Sequence, residues 1–189
     1  MIMDYVQESF DAFLRERCDR YRFGRGFYPK GALVGDQFCQ NPYIKTEADF
    51  QMKFGCFLEQ FLHDRDPELV VHAEMPIYAD PRARADLTIH RVPDGSNWEY
   101  KEKILGSLLS VIEVKLANVR EPLYDFFKGD GVKKDLIRLK SLGSEINRYL
   151  LIADEGEAID PLQIQQFLSD AEEHDVVVLS NNAALMGAA

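Results

Sequence analysis

Apolar residues recur along this chain with two periods, and the switches between them mark out the elements. Tyr5-Val6, Phe10, Phe13-Leu14 and Arg17-Cys18 fall at helical spacing, so residues 4–20 read as an amphipathic helix. A second helix is expected from Thr46, a plausible N-cap, with Glu47 and Asp49 in the first turn where the helix dipole favours acids. Phe50, Phe54, Phe57-Leu58 and Phe61-Leu62 trace its apolar face to about His63, and Cys56 on the same helix reads as a core residue. The pattern then changes. Residues 69–78 and 85–90 read as strands, Pro93-Asp94-Gly95 as a turn, and residues 96–106 as a polar excursion. Residues 108–116 are almost continuously apolar, as in a strand buried at the centre of a sheet. A helix over 132–142 ending at Gly143, a strand at 148–153, a helix at 161–173 opened by Asp160 and a strand at 176–179 complete the order ααβββαβαβ. That is the signature of an α/β protein, read here as one domain over residues 1–189 with no internal repeat.

Composition narrows the class. At 189 residues with 46% hydrophobic and 29% charged residues, the chain has globular proportions and the length of about one domain. No apolar run approaches the ~20 residues that span a bilayer. The first residues, Met1-Ile2-Met3-Asp4-Tyr5, carry an acid where a secretory signal carries basic residues. Cys18, Cys39 and Cys56 are odd in number, widely spaced and without a CxxC pair, which argues against a disulfide framework and a zinc site. A cytoplasmic location with reduced thiols and no membrane partner is therefore expected.

A net charge of −10 speaks at first against a nucleic-acid partner. The distribution weakens that objection. No Lys or Arg follows Arg148, whereas eight acids do, so residues 1–148 hold all 22 basic groups and 24 of the 32 acids, a net of −2. Arg15, Arg17, Arg20, Arg22, Arg25 and Lys30 interleave with Tyr21, Phe23, Phe27 and Tyr28 around a long loop at 21–45. Such mixing suits a groove that tracks a phosphate backbone and stacks bases, or else a solvated loop tethered by its aromatics.

The chemical anomaly lies in the central strand. An acid and a lysine interrupt the apolar run 108–116, and period-2 alternation puts Val111, Glu113 and Lys115 on one face with Ile112, Val114 and Leu116 on the other. Burying such groups unpaired costs several kcal/mol. An E-x-K triplet alone is weak, since roughly one is expected by chance in a chain this size; the second copy, Glu99-Tyr100-Lys101, sits in a polar stretch after a turn. A Glu–Lys pair at a surfacing strand end remains the purely structural alternative. Asp86, 27 residues before Glu113, changes the balance. If the two strands are adjacent and antiparallel, Asp86 comes to lie beside Glu113. Two carboxylates and a lysine at a sheet edge can hold a hard divalent cation, and without one the acids repel each other.

The pattern Asp86…Glu113-Val114-Lys115, between an acid-bearing helix upstream and a helix downstream, resembles the PD-(D/E)xK nuclease superfamily, the restriction-endonuclease-like fold. The resemblance covers roughly residues 46–153. Thr46-Glu47-Ala48-Asp49-Phe50-Gln51 is similar to the opening of the family's first core helix, Glu74-Met75-Pro76-Ile77 to the strand before the Asp, and residues 131–139 to the helix after the E-x-K strand. Ala85 stands where the family's name puts proline, at a position that varies across the superfamily. The resemblance implies a central mixed sheet of four to five strands flanked by helices. It leaves residues 1–45 as an N-terminal helix and loop and 154–189 as an acidic C-terminal helix and strand. It also implies Mg²⁺, with Mn²⁺ as substitute, held by Asp86, Glu113 and the Val114 carbonyl, with Glu47 completing the set; Glu59 and Glu74 also qualify as the upstream acid. Lys115 would orient water or stabilise the transition state. A neutral lysine is disfavoured, because two neighbouring carboxylates raise its pKa.

The function this implies is a metal-dependent nuclease hydrolysing DNA phosphodiesters, with Asp86, Glu113 and Lys115 catalytic. The alternative is a catalytically inactive protein of the same fold, acting as a nucleic-acid-binding or protein-interaction subunit of a defence, phage or repair system. The acidic C-terminal region favours a basic partner. Lys128, Lys133, Lys134, Arg138 and Lys140 either contact phosphates, with Lys133, Lys134 and Arg138 the substrate-binding candidates, or form a solvated helix face. Asp135 reads as structural, paired with a nearby lysine or arginine. Of four histidines without metal-ligand spacing, His90 shares the Asp86 face. Cutting both strands of a duplex would call for a homodimer, a protein partner or sequential nicking.

Overall fold

The computed structural model describes residues 2–18, 46–92, 107–117, 127, 130–154, 159 and 161–182. The apolar run at its centre is strand β3 (Leu108–Ala117), and the sheet is built outward from it. On one side stand β2 (Ala85–Arg91) and β1 (Leu69–Met75), each antiparallel to its neighbour. On the other stand β4 (Asn147–Asp154) and β5 (Val177–Ser180), both parallel to β3. The protein is thus α/β with a five-stranded mixed sheet, its strands in chain order, flanked by helices.

This layering follows from the connections. Parallel neighbours need crossovers, and α3 (Asp130–Lys140) and α4 (Pro161–Glu173) supply them. Successive right-handed crossovers stepping in one direction put both helices on one face of the sheet. There Val132, Leu136 and Leu139 of α3 and Ile164 and Phe167 of α4 pack on Val111, Leu150 and Ile152. The opposite face is covered by α1 (Ile2–Cys18) and α2 (Glu47–His63). Val6, Phe10 and Phe13 of α1 and Phe50, Phe54, Leu58 and Leu62 of α2 bury against Leu87, Ile89, Ile112, Val114 and Leu151. Phe10 and Phe13 meet Phe54 edge-on at 5.7 and 5.5 Å, a preferred aromatic geometry. At Gly55 helix and sheet come close, since a Cβ there would lie 3.0 Å from Leu87 Cδ2. The apolar face of the N-terminal helix is therefore part of the core.

The elements match the sequence pattern with small shifts. The first strand ends at Met75 rather than 78, because Glu74 adopts φ 57° and Ile77 N bonds back to Met75 O at 3.0 Å, turning the chain. Helix α3 ends at Lys140, with Ser141 and Leu142 tightening its last turn through bonds to Arg138 O and Leu139 O. Cys56 is exposed, not a core residue: it lies two positions from Phe54, on the far side of the helix from the Phe50–Phe54–Leu58 stripe. Arg148, the last basic residue, is buried, and its guanidinium donates to the carbonyls of Leu142, Gly143 and His174, tying the start of β4 to both crossovers. No helix among the described residues is long and apolar enough to cross a membrane. The basic–aromatic stretch at 20–30, the Glu99-x-Lys101 copy, Lys128 and the acids Glu155, Glu157 and Asp160 lie outside the described residues.

Candidate active site

The register of β2 on β3 decides where the charged residues meet. Leu87 pairs with Ile112 and Thr88 with Val111, so the next step sets Asp86 opposite Glu113. Leu87 and Ile112 face α1 and α2. Alternation therefore turns Asp86 and Glu113 to the α3 face, and Lys115 with them. Strand β2 begins at Ala85, whereas β3 continues to Ala117 alongside β4. Lys115 thus lies just past the end of the β2–β3 ladder.

The acid pair is buried and tightly held. Glu113 is 2% exposed, and its Oε1 accepts a short hydrogen bond from the Tyr78 hydroxyl. The Asp86 and Glu113 carboxyl groups also hydrogen-bond each other. Asp86 Oδ2 accepts the Val114 N–H at 2.7 Å. Burial pushes the Glu113 carboxyl up to about 9, the charges of Asp86 and Asp135 add to the rise, and the Tyr78 bond opposes it. Asp86 is likewise raised by burial, against the opposing pull of the Val114 amide and Lys115. Burial also raises the Tyr78 phenol, helped by the Glu113 carboxylate. The pair therefore holds a proton that two separate surface carboxyls would release.

Lys115 is the counterweight. Its Nζ lies 2.9 Å from Asp135 Oδ2 and 3.2 Å from Glu47 Oε2. Burial alone would lower its pKa, but Asp135 and Glu47 outweigh burial and raise it, so the group is an ammonium. Glu47 is placed by the first turn of α2, which Thr46 caps by accepting the Asp49 N–H at 3.0 Å. Its carboxylate is half-exposed. One turn on, Gln51 Nε2 donates to Asp86 O at 2.8 Å and Glu74 Oε1 at 2.9 Å, pinning α2 to the start of β2.

Of the three upstream acids the sequence left open, Glu47 alone touches the site lysine. Glu74 joins through Gln51, and Glu59 is exposed on α2, 12 residues beyond Glu47 and about 18 Å along the helix. Asp135 pairs with a lysine and an arginine, Arg138 Nη1 sitting 3.1 Å from its Oδ1. That lysine is Lys115, which brings Asp135 into the site. The Arg138 guanidinium also lies over the Tyr78 ring at 5.9 Å. Lys133 and Lys134 are exposed on α3. His90 shares the Asp86 face but not its site: it is fully buried, with Nε2 2.8 Å from Thr88 Oγ1 and its ring edge-on to His72.

Tyr78, Gln51 and the role of Asp135 were not foreseen. Two of them left a trace. Gln51 follows Glu47 by four residues and so shares its helix face, and Asp135 follows Val132 by three, an acid on an otherwise apolar stripe. As for a metal, no group of three or more His, Cys, Asp or Glu side chains among the described residues is arranged to hold an ion. The donor set nevertheless suits Mg²⁺, which keeps several waters and needs only one or two protein carboxylates. Asp86 and Glu113 are such a pair. In a strand the N–H and C=O of one residue point the same way, so the Val114 carbonyl faces the Asp86 edge with its amide. Compared with family models, with curated proteins and with solved structures, the chain finds no match in any of the three.

Proposed function

We propose that this protein is a metal-dependent nuclease that hydrolyses DNA phosphodiester bonds, with a PD-(D/E)xK, restriction-endonuclease-like core over residues 46–153. One observation carries the reading: Asp86 and Glu113 face each other across antiparallel strands, with Lys115 on the same face at the ladder's end. A buried carboxyl raised by its own burial and by the charge of a neighbouring acid is a standing electrostatic cost, and a divalent cation between the two would reduce it. The run helix, strand, strand opening on the acid, E-x-K strand, helix and strand is also the order the resemblance implies.

In this reading Asp86, Glu113 and the Val114 carbonyl hold Mg²⁺ or Mn²⁺, with Glu47 reaching the ion directly or through water. The ion supplies Lewis-acid stabilisation of the phosphate and a lower pKa for coordinated water. Glu113 would have to be ionised to hold the ion. Lys115, kept as an ammonium by Asp135 and Glu47, orients the attacking water or offsets charge on a phosphate oxygen and does not act as the base. Lys133, Lys134 and Arg138 are the candidates for backbone contacts. A symmetric dimer or sequential nicking would serve for both strands of a duplex.

Cleavage of labelled single- and double-stranded DNA with Mg²⁺ or Mn²⁺ tests this, against EDTA and against Glu113→Gln and Lys115→Ala proteins. Metal-dependent cutting lost in both variants is the expected result. A second reading, a catalytically inactive binding subunit, is favoured by Lys115 being ion-paired on two sides without any ligand. No cutting together with no Mg²⁺ binding in calorimetry would move the assignment there.

A further inference from the structure

We infer that Asp135 is a positioning residue for Lys115, an inference that rests on the nuclease reading for its catalytic consequence. Asp135 lies on the face of α3 that packs on the sheet, beside the buried Val132, Leu136 and Leu139, and its side chain is only 5% exposed. A carboxylate in such a place is costly unless both oxygens are engaged. Both have a cation beside them: Oδ2 forms an ion pair with Lys115 Nζ at 2.9 Å, and Oδ1 accepts a hydrogen bond from Arg138 Nη1 at 3.1 Å. The first contact joins two largely buried groups, since the Lys115 side chain is 17% exposed, so water screens it little. The contact from Glu47 on the other side is longer and half-exposed, hence weaker.

These two acids come from α2 and α3, which cover opposite faces of the sheet, and they grip one ammonium beyond the end of β2. An ammonium has three donors. Two carboxylates flank this one as ion pairs, and donor capacity remains for a phosphate oxygen or the attacking water. Rotation about a long flexible side chain is thereby reduced to a small range, which is what orienting a nucleophile requires. Arg138 extends the brace, because it holds Asp135 from below while covering Tyr78, the residue that bonds Glu113. The acid pair and the lysine thus hang from the same four-residue stretch of α3.

The test uses the full chain as wild type, Asp135→Asn, Lys115→Ala and the double variant, with DNA cleavage at varied substrate and Mg²⁺ affinity by calorimetry. Asp135→Asn should lower kcat about 10- to 100-fold, as loss of a supporting partner does, with KM and Mg²⁺ affinity within about twofold. It should have no added effect in the Lys115→Ala background. A loss of equal size in both backgrounds, or an unchanged kcat, overturns the inference. NMR of the Lys115 ammonium gives a readout independent of cleavage: its protons should be protected from exchange in wild type and lose that protection in Asp135→Asn. The two readings then fail separately. Wild type that cuts no DNA sinks the nuclease, whereas an ammonium equally protected in both proteins sinks the positioning role whatever the activity. Should Asp135→Asn fail to fold, Asp135→Glu displaces the carboxylate by one methylene at constant charge, and the same kcat loss and non-additivity are expected of it.

Discussion

The two ends of strand β2 solve the same problem differently. Both carry buried polar side chains on the α3 face, Thr88 and His90 toward one end and Asp86 at the other. At the first end the contacts close within the sheet: Thr88 Oγ1 bonds His90 Nε2 at 2.8 Å and donates to His72 O at 3.4 Å. At the second end the groups are two acids and a lysine, and their partners come from beyond the sheet. Asp86, Glu113 and Lys115 recruit Glu47 and Gln51 from α2, Tyr78 from the turn after β1, and Asp135 from α3. A hydroxyl–imidazole hydrogen bond closes between neighbouring residues, whereas buried acids and a lysine gather partners from several elements. That difference makes the Asp86 end the candidate site.

If the contrast is one of function, removing a carboxyl at the Asp86 end should abolish activity more than it costs stability. Glu113→Gln is expected to lower metal-dependent cleavage on the order of 10³-fold while the thermal midpoint at neutral pH holds or rises; a coupled collapse of both would make the acid pair mere scaffolding. The opposite pattern should come from the apolar face. Phe54→Ala empties the centre of the Phe10–Phe13–Phe54 cluster, for an expected loss of about 3–5 kcal/mol, read by denaturant titration, with little change in activity per folded molecule.

The pH dependence sharpens the difference. Glu113, raised from the ordinary carboxyl range to about 9, binds its proton more tightly in the folded chain than in the unfolded one. Its contribution to stability is therefore complete below about 4.5 and is lost as pH climbs toward 9. Asp86, raised by burial, works in the same direction. Wild type should lose stability relative to Glu113→Gln across this window, and Mg²⁺, which binds the charged form, should restore part of it at the alkaline end. Parallel stability–pH curves for the two proteins would contradict the buried proton. The smallest effect is expected at the His90 end of β2. Thr88→Val should cost about 1–2 kcal/mol and leave DNA cleavage as it was; a large loss of cleavage would extend the site toward His90.

Much of this was legible in the chain because it is local. The Phe50–Phe54–Leu58–Leu62 stripe and the 108–116 run are periodic signals, and they yield α2 and β3 almost to the residue. The site's three central residues were also legible, since alternation and strand adjacency alone carry Asp86 to Glu113. Tyr78 was hidden because the pattern 69–78 reads as one strand, whereas the strand stops at Met75 and Tyr78 sits in the turn beyond it, where its hydroxyl reaches Glu113. Cys56 is apolar in character, but its spacing from Phe54 turns it away from the stripe, and position on the helix rather than residue type decides its exposure.

What the sequence determined by itself is the set of elements, their order, and the shared face of Glu113 and Lys115 on their strand; the register of β2 on β3 then brought Asp86 opposite Glu113. The first three depend on backbone periodicity, which each segment carries alone. What only the tertiary structure decided is which partners complete the charges: Glu47 rather than Glu59 or Glu74, Asp135 as a brace, and Tyr78 and Gln51 as holders of the acid pair. The reason is physical. Compensation of a buried charge depends on distances between elements far apart in the chain, and those distances are set by the packing of α2 and α3 on opposite faces of the sheet, not by any one segment.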